Sequence, residues 1–388
     1  MTDGAAVASR PARFDDRCGA HNLSWCAHRA RASLRVPRGM SAAQPGRTPI
    51  LTLGSARAPA FPGVCKVDQL PSLAQPALSC SAPRSERTAR PGTTLRVAML
   101  DERFIQICGQ PLRYLIGGQG KPLVLCHGFL SSAEEFGGRF SELGALRTLI
   151  IPDLPGNGAS PPLRGRHTSE AIADLLFNLL AELEIDRFDV GGLCLGTTVA
   201  CALAKRAGDR AERLILHTPL LSPDLMRRPY REQVRLLSRR PLWDGVVWLS
   251  RQRRISDLYK RFVIVEGDVD HRTGDVNYEN QCRADPRAAR EWLNDCLVRD
   301  DVHVVAARAE ATLIIVARRD RLVDVDRWRG LIARLPDLHV FIDADQGHGW
   351  NDAAVHRQLE VLRDFVEAQP HHGSVATLDS APGQRPRQ

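Results

Sequence analysis

Residues 191–196 spell "GGLCLG", and this short G-x-C-x-G pattern decides how the chain folds around it. The preceding residues, "RFDV", have the character of a buried strand, and the following "TTVACALAKRA" has the character of a helix. At the tip of such a strand-to-helix turn the central side chain crowds the positions two residues away on each side, so Gly192 and Gly196 must be small. The pattern predicts a nucleophile elbow with Cys194 at its tip, where serine is the usual residue.

Strand and helix patterns alternate on both sides of this turn. Apolar stretches such as "KPLVLCHG", "RLILHTPL" and "ATLIIVARRD" indicate buried strands, and a 3.6-residue apolar period after Thr168 indicates a helix. A further helix is predicted near 351–368, and "RFIQIC" and "PLRYLI" predict a hairpin around Gly109-Gln110. Strands alternating with helices predict a doubly wound α/β domain with a mostly parallel sheet.

The chain divides into segments of different character. Residues 1–98 show no sustained period and predict a disordered segment, a transit peptide or an over-extended start, since ordered patterning begins just after Met99. Residues 222–308 lie between two strands and are too long for a simple crossover, so they predict an inserted helical cap. The predicted core is therefore 99–221 with 309–370, followed by a disordered tail at 371–388.

The net charge of +8 does not predict a nucleic-acid partner. Residues 1–98 hold fourteen basic and five acidic side chains, so the remaining 290 residues hold 39 basic and 40 acidic ones and are close to neutral. Neither a run of about 18 apolar residues nor a secretory signal is present, which predicts a cytoplasmic protein without membrane insertion.

Metal or cofactor binding is not predicted either. Cys18, His21, Cys26 and His28 cluster loosely, but their spacing fits no zinc class. Within the predicted cap, residues 227–261 hold eleven basic and three acidic side chains. This asymmetry leaves two alternatives, an attraction for a carboxylate- or phosphate-bearing acyl donor or a set of solvated helix faces.

Five motifs, "LVLCHGF", "IIPDLPGNGAS", "VGGLCLG", "ARRD" and "DQGHGW", stand in an order that resembles the α/β-hydrolase fold family. The resemblance covers roughly residues 100–370 and is to the branch with a helical cap between the sixth and seventh strands of an eight-stranded sheet. The cysteine elbow is locally similar to those of dienelactone hydrolases and polyhydroxyalkanoate synthases. Thr197 departs from both, because they usually have a second glycine there.

The resemblance implies a catalytic triad in the chain order nucleophile, acid, base. Cys194 is then the nucleophile, Asp320 after the seventh strand the acid, and His348 after the eighth strand the base. Asp324 and Asp326 are competing carboxylates, more typical of a surface or a helix start.

The family pattern also assigns the backbone donors of an oxyanion hole. By resemblance, Phe129 and Leu195 supply these N–H groups. His127 is expected to shape the loop that carries Phe129, not to move protons. The turn "DLPGNGAS" matches a family turn that is structural.

These residues predict a cofactor-free hydrolase of an ester, lactone or thioester, acting through a covalent acyl-enzyme on Cys194. An acyltransferase with the same intermediate is an alternative, because the acceptor cannot be identified from these motifs. A hydrolase-fold binding protein with an inactive site is a second alternative.

Overall fold

The computed structural model describes residues 99–260, 271–368 and 378–379. Its strands form one sheet in the order β1-β2-β4-β3-β5-β6-β7-β8-β9. β1 is antiparallel to β2 and β2 to β4, whereas all other neighbours are parallel. The strands are β1 Asp101–Ile107, β2 Gln110–Gly118, β3 Lys121–Cys126, β4 Arg147–Pro152, β5 Phe188–Leu193, β6 Ala211–His217, β7 Thr312–Ala317, β8 His339–Asp343 and β9 Leu378–Asp379.

Helices connect the parallel strands and cover the sheet. The helices of the described part of the chain are α1 Glu134–Gly137, α2 Ser169–Glu182, α3 Gly196–Ala207, α4 Arg228–Leu237, α5 Leu242–Ser250, α6 Arg253–Tyr259, α7 His271–Arg283, α8 Pro286–Cys296, α9 Val302–Ala306, α10 Val325–Ile332 and α11 Asp352–Glu367. The predicted doubly wound α/β fold with a mostly parallel sheet is confirmed.

The sheet has a core on each face because successive strand residues point to opposite sides. One core packs alternate strand residues such as Val124, Ile150 and Val190 against α2 and α3. The other packs their neighbours, such as Leu123 and Leu149, against α11 and the segment that contains α1. Both faces are therefore closed to water, as the continuous apolar strand patterns require.

The helix ends are fixed by residues that the sequence makes recognisable. Thr168 caps α2 by accepting a hydrogen bond from the backbone N–H of Ala171, and Asn351 caps α11 in the same way. The apolar stripe of α11, including Leu359 and Leu362, is buried against the sheet. The predicted helices at these two places are thus present with nearly the predicted bounds.

Two details differ from the expectations. The hairpin between β1 and β2 turns at Cys108 and Gly109, one residue earlier than expected, and both have positive φ (51° and 76°). That geometry is typical of a two-residue turn between twisted strands. A ninth strand, β9, pairs in parallel with β8, inside the segment predicted as a tail. The rest of that segment and all of residues 1–98, including the loose Cys18–His28 cluster, lie outside the described residues.

The described residues 223–260 and 271–306 lie between β6 and β7 and contain the helices α4 to α9, which we call the helical insertion. Its large apolar side chains are not all internal, since Trp248 is 63% exposed and Leu258 is 58% exposed. Several of its arginines are paired locally, for example Arg253 with Asp257 and Asp275. This local pairing favours solvated helix faces as the explanation of its basic composition. Within the described ranges, none of the helices has the length and apolarity needed to cross a bilayer.

Candidate active site

The turn between β5 and α3 has the strained backbone that its glycines predict. Cys194 has a φ of 52°, a backbone conformation that residues other than glycine rarely adopt. Its backbone N–H donates to the carbonyl oxygen of His217 at 3.0 Å, and its own carbonyl oxygen accepts from the N–H of Thr197 at 3.2 Å. These bonds hold the half-buried Cys194 at the carboxyl edge of the sheet.

The two elbow glycines are required by close backbone contacts. A Cβ on Gly196 would lie 2.3 Å from the carbonyl oxygens of both Cys126 and His127, at the end of β3. A Cβ on Gly192 would lie 2.5 Å from the carbonyl oxygen of Gly196. The elbow therefore packs directly on the loop after β3, which brings Phe129 into the same neighbourhood as Leu195.

Asp320 and His348 meet at the same edge of the sheet. Asp320 follows β7 and is buried, and His348 lies in the loop after β8. The Nδ1 atom of His348 lies 2.8 Å from the Oδ2 atom of Asp320. The other carboxylate oxygen, Oδ1, accepts hydrogen bonds from the backbone N–H groups of Leu322 and Val323. The carboxylate is thus fixed on both oxygens and orients the imidazole.

Two neighbouring side chains, Asp320 and Cys194, shift the pKa of His348. Burial alone lowers the pKa of the His348 imidazole. The charges of Asp320 and Cys194, together with hydrogen bonds to both side chains, outweigh burial and raise this pKa well above its usual range. The protonated form of the imidazole is therefore stabilised by both neighbours.

The competing carboxylates have other partners. Asp324 caps α10 by accepting from the N–H of Arg327 at 3.3 Å and also forms an ion pair with that arginine. Asp326 has an exposed side chain that pairs with Arg329 at 3.4 Å. Of the three carboxylates, Asp320 is the one that hydrogen-bonds to His348.

The two remaining motifs shape loops by hydrogen bonding. The Nε2 atom of His127 accepts from the N–H of Leu154 at 2.9 Å, so its Nδ1–H donates to the carbonyl oxygen of Gly128 at 2.8 Å. Asp153, which is buried, accepts from the backbone N–H groups of Ala133 and Ala159 at 2.8 Å each. Both side chains are fully engaged in holding the loops beside the elbow.

The helical insertion contributes Tyr230 and Cys296 to the same apolar cluster against which Cys194 packs. Burial raises the pKa of the Tyr230 phenol on α4 well above its usual range, and the nearby charges of Cys194 and Asp320 add to the increase. Burial, with a further contribution from Cys194, also raises the pKa of Cys296 at the end of α8. Neither Tyr230 nor Cys296 was among the predicted site residues, because the packing of the insertion leaves no local sequence signal.

A second buried histidine lies beside the triad-like residues. His217 ends β6, and its Nε2 atom lies 2.7 Å from the indole Nε1 atom of Trp350. Burial, together with the charge of His348, lowers the pKa of His217 to about 3. His217 was not predicted as a site residue, although a histidine at the carboxyl end of a buried strand was a usable signal. Among the described residues, no group of three or more His, Cys, Asp or Glu side chains is arranged to hold a metal ion.

A mostly parallel α/β sheet with a strained cysteine elbow and an Asp–His pair at its carboxyl edge defines a hydrolase-like class of protein. A family model of the alpha/beta hydrolase fold matches residues 121–351, more than half of the chain. The chain therefore belongs to the α/β-hydrolase fold family.

The chain is also similar to individual known proteins. An uncharacterized protein of Mycobacterium tuberculosis is 32% identical over 114 residues, which are 29% of this chain and 33% of that protein. The match thus spans only about a third of this relative. The 2-hydroxymuconate semialdehyde hydrolase of Pseudomonas sp. strain CF600 is 26% identical over 265 residues, 64% of this chain and 88% of that enzyme. A thermophilic esterase from Thermogutta terrifontis, solved with malate bound, superimposes with a TM-score of 0.56 at 22% identity, covering 69% of this chain and 98% of the esterase.

The contacts of Gly196 generate a stability prediction. Gly196→Ala should lower the free energy of unfolding by at least about 2 kcal/mol, because its Cβ meets backbone oxygens that cannot turn away. Gly245→Ala on α5 is the matched control, since a Cβ there has no neighbour within 4 Å and alanine favours a helix. Urea unfolding of both variants measures the difference. Equal stabilities would contradict the close packing of the elbow on the β3 loop.

Proposed function

We propose that the protein is a cofactor-free acyl hydrolase with Cys194 as nucleophile, His348 as base and Asp320 as the orienting acid. The observation that carries the proposal is the hydrogen bond of 2.8 Å between Nδ1 of His348 and Oδ2 of Asp320. Asp320 and Cys194 both raise the pKa of His348. Three loops, after β5, β7 and β8, supply these side chains at one edge of the sheet. The substrate is an ester, a lactone or a thioester.

The proposed reaction begins with proton transfer from the thiol of Cys194 to the Nε2 atom of His348. The thiolate attacks the acyl carbon, and the N–H groups of Phe129 and Leu195 bind the oxygen that becomes negative. Collapse of this tetrahedral intermediate breaks the bond to the leaving alcohol or thiol, which takes the proton from His348. An acyl thioester on Cys194 remains.

Water completes the proposed cycle. His348, neutral after the first step, removes a proton from a water molecule as that water attacks the thioester carbon. The second tetrahedral intermediate expels the thiolate of Cys194, and the carboxylic acid leaves. The carboxylate of Asp320 accepts the Nδ1–H of His348, so the Nε2 atom of His348 faces the reacting atoms in both steps.

Two observations favour a functioning cysteine over the remnant of a serine site. The strained φ of Cys194 is retained, and strain of this kind persists where the surrounding structure enforces it. The raised pKa of His348 makes its imidazole a stronger proton acceptor, and a thiol gives up its proton to such an acceptor more readily than a hydroxyl does. We further propose that the helical insertion is a cap over the site, because its Tyr230 and Cys296 pack in the same apolar cluster as Cys194.

The acid and base roles are tested by a matched set of carboxylate variants. His348→Ala should reduce kcat by several powers of ten, because its loss removes both proton transfers. Asp320→Asn should reduce kcat less than His348→Ala does, but far more than Asp324→Asn does, because the carboxylate of Asp324 caps α10. Steady-state kinetics on p-nitrophenyl esters, lactones and acyl thioesters provide the measurement. A greater loss in Asp324→Asn than in Asp320→Asn would overturn the assignment of the acid.

The nucleophile is tested by two substitutions of Cys194. Cys194→Ala should abolish turnover and leave the unfolding transition unchanged, because alanine fits the elbow without new contacts. Cys194→Ser should retain partial activity only, since a hydroxyl gives up its proton to His348 less readily than a thiol. Burst-phase kinetics with an activated ester compare the acylation rates.

Each contrary outcome identifies a different alternative. A gain of activity in Cys194→Ser would show that the site was built for serine. Unchanged turnover in Cys194→Ala would exclude the nucleophile role and favour a binding protein. Release of an ester or a new thioester instead of the free acid, when an alcohol or thiol is supplied, would favour acyl transfer over hydrolysis.

A further inference from the structure

We propose that His217 is a positioning residue that ties the backbone of Cys194 to the loop carrying His348, and that it does so as a neutral imidazole. This inference rests on the proposed function, since it assigns a role in holding the proposed nucleophile and base together. The contacts of both the main chain and the side chain of His217 carry the proposal.

The main chain of His217 holds the nucleophile. Its carbonyl oxygen accepts the N–H of Cys194 at 3.0 Å, and its strand β6 pairs with β5 so that His217 lies opposite Leu193. The next residue, Thr218, donates its N–H to the carbonyl oxygen of Ile315 in β7 at 2.8 Å. The end of β6 is therefore fixed between the strand before Cys194 and the strand before Asp320.

The side chain of His217 holds the loop of the base. Its Nε2 atom lies 2.7 Å from the Nε1 atom of Trp350, two residues after His348. An indole N–H donates and never accepts, so Nε2 of His217 must be unprotonated and the proton of the neutral ring resides on Nδ1. Nδ1 lies 3.3 Å from the hydroxyl oxygen of Thr218, which accepts it. The hydrogen bonds thus select one tautomer of a neutral imidazole.

Two buried glutamines extend this contact to the other side of His348. The Nε1 atom of Trp350 also lies 2.9 Å from Oε1 of Gln358, whose Nε2 donates to Oε1 of Gln346. The Nε2 of Gln346 donates to the carbonyl oxygen of Gly349 at 3.1 Å. The base is therefore held from residues 346 and 350, on both sides of its own position in the loop.

The same network reaches the loop of the acid. The carbonyl oxygen of Gln346 accepts the N–H of Arg319 at 2.9 Å, and Arg319 directly precedes Asp320. The hydrogen-bonded cluster of His217, Trp350, Gln346 and Gln358 consequently contacts the elbow, the acid loop and the base loop. All four side chains are buried, so each bond is made without competition from water.

Neutrality of His217 matters because of the charges that face it. The imidazole of His348 lies close enough for its positive charge to lower the pKa of His217, and Arg139 stacks over the ring of Trp350 at 5.9 Å. Asp320 bonds to His348 and not to His217. A proton on His217 would place a second cation beside His348 and remove one of the two acceptors of Trp350.

A comparison of His217→Leu with His217→Gln tests the proposal. Both variants keep the backbone bond to Cys194, but only glutamine offers a neutral acceptor to Trp350. We expect His217→Leu to lower kcat about tenfold or more with little change in KM, and His217→Gln to recover most of that loss. His356→Leu on α11, an exposed histidine, is the control and should retain wild-type kinetics.

The second readout needs no substrate. The rate of alkylation of Cys194 by iodoacetamide should show its acid limb shifted upward by about one pH unit in His217→Leu, because a loosened His348 stabilises the thiolate less. Trp350→Phe removes the same hydrogen bond from the other partner, together with the bond to Gln358, and should produce at least the same shift. The double variant should be no worse than Trp350→Phe alone, because that variant already lacks the bond between the two side chains.

Several outcomes would overturn the proposal. Wild-type kcat and an unshifted alkylation profile in folded His217→Leu or Trp350→Phe would show a purely structural role. Equal losses in the leucine and glutamine variants would exclude the acceptor function. Failure of the proposed function is distinguishable from failure of this proposal. Unchanged turnover in Cys194→Ala would exclude Cys194 as the nucleophile, whereas the alkylation profile of Cys194 would still test the positioning of His348.

Discussion

The close approach of the elbow to the loop after β3 is the constraint on which the rest of the structure depends. Gly196 lies so near the carbonyl oxygens of Cys126 and His127 that no side chain fits between them. This contact, together with the bond from the N–H of Cys194 to His217, holds Cys194 at a φ of 52°. Because Leu195 and Phe129 belong to the two segments in contact, the same constraint brings together the proposed donors of the oxyanion hole.

The parallel sheet converts this local constraint into a site. Parallel strands place all their carboxyl ends at one edge, so the loops after β5, β6, β7 and β8 lie side by side. Two histidines at this edge, His217 at the end of β6 and His348 in the loop after β8, have pKa values shifted in opposite directions. His348 contacts Asp320 and has a raised pKa, whereas burial and the charge of His348 lower the pKa of His217 to about 3. The two imidazoles therefore differ in pKa because of their surroundings, although they are the same residue type.

The features that depend on residues close together in the sequence could be predicted from it. The elbow, the helix start at Thr168 and the α/β alternation all depend on short-range patterns, and the structure contains each of them. Asp320 and His348 were also predicted, because each directly follows a recognisable strand. Their contact was implied by the family resemblance and is present at 2.8 Å.

The features that depend on long-range packing were not predictable in this way. The network from His217 to Gln358 joins residues far apart in the chain, and no spacing rule connects them. The insertion shows the same limit, because the apolar spacing of α5 and α6 predicts helices but not that Trp248 and Leu258 are exposed. Similarly, the two-residue strand β9 is too short to leave a pattern.

The most direct test of the account is the identity of the covalent intermediate. The protein is mixed with an activated acyl ester, quenched in acid within the burst phase, digested and examined by mass spectrometry. If Cys194 is the nucleophile, one acyl group is found on the peptide that contains Cys194. It is lost on treatment with hydroxylamine, as a thioester is, and it is absent from Cys194→Ala. Turnover with no acylated Cys194 peptide, or an acyl group on another side chain, would contradict the central claim.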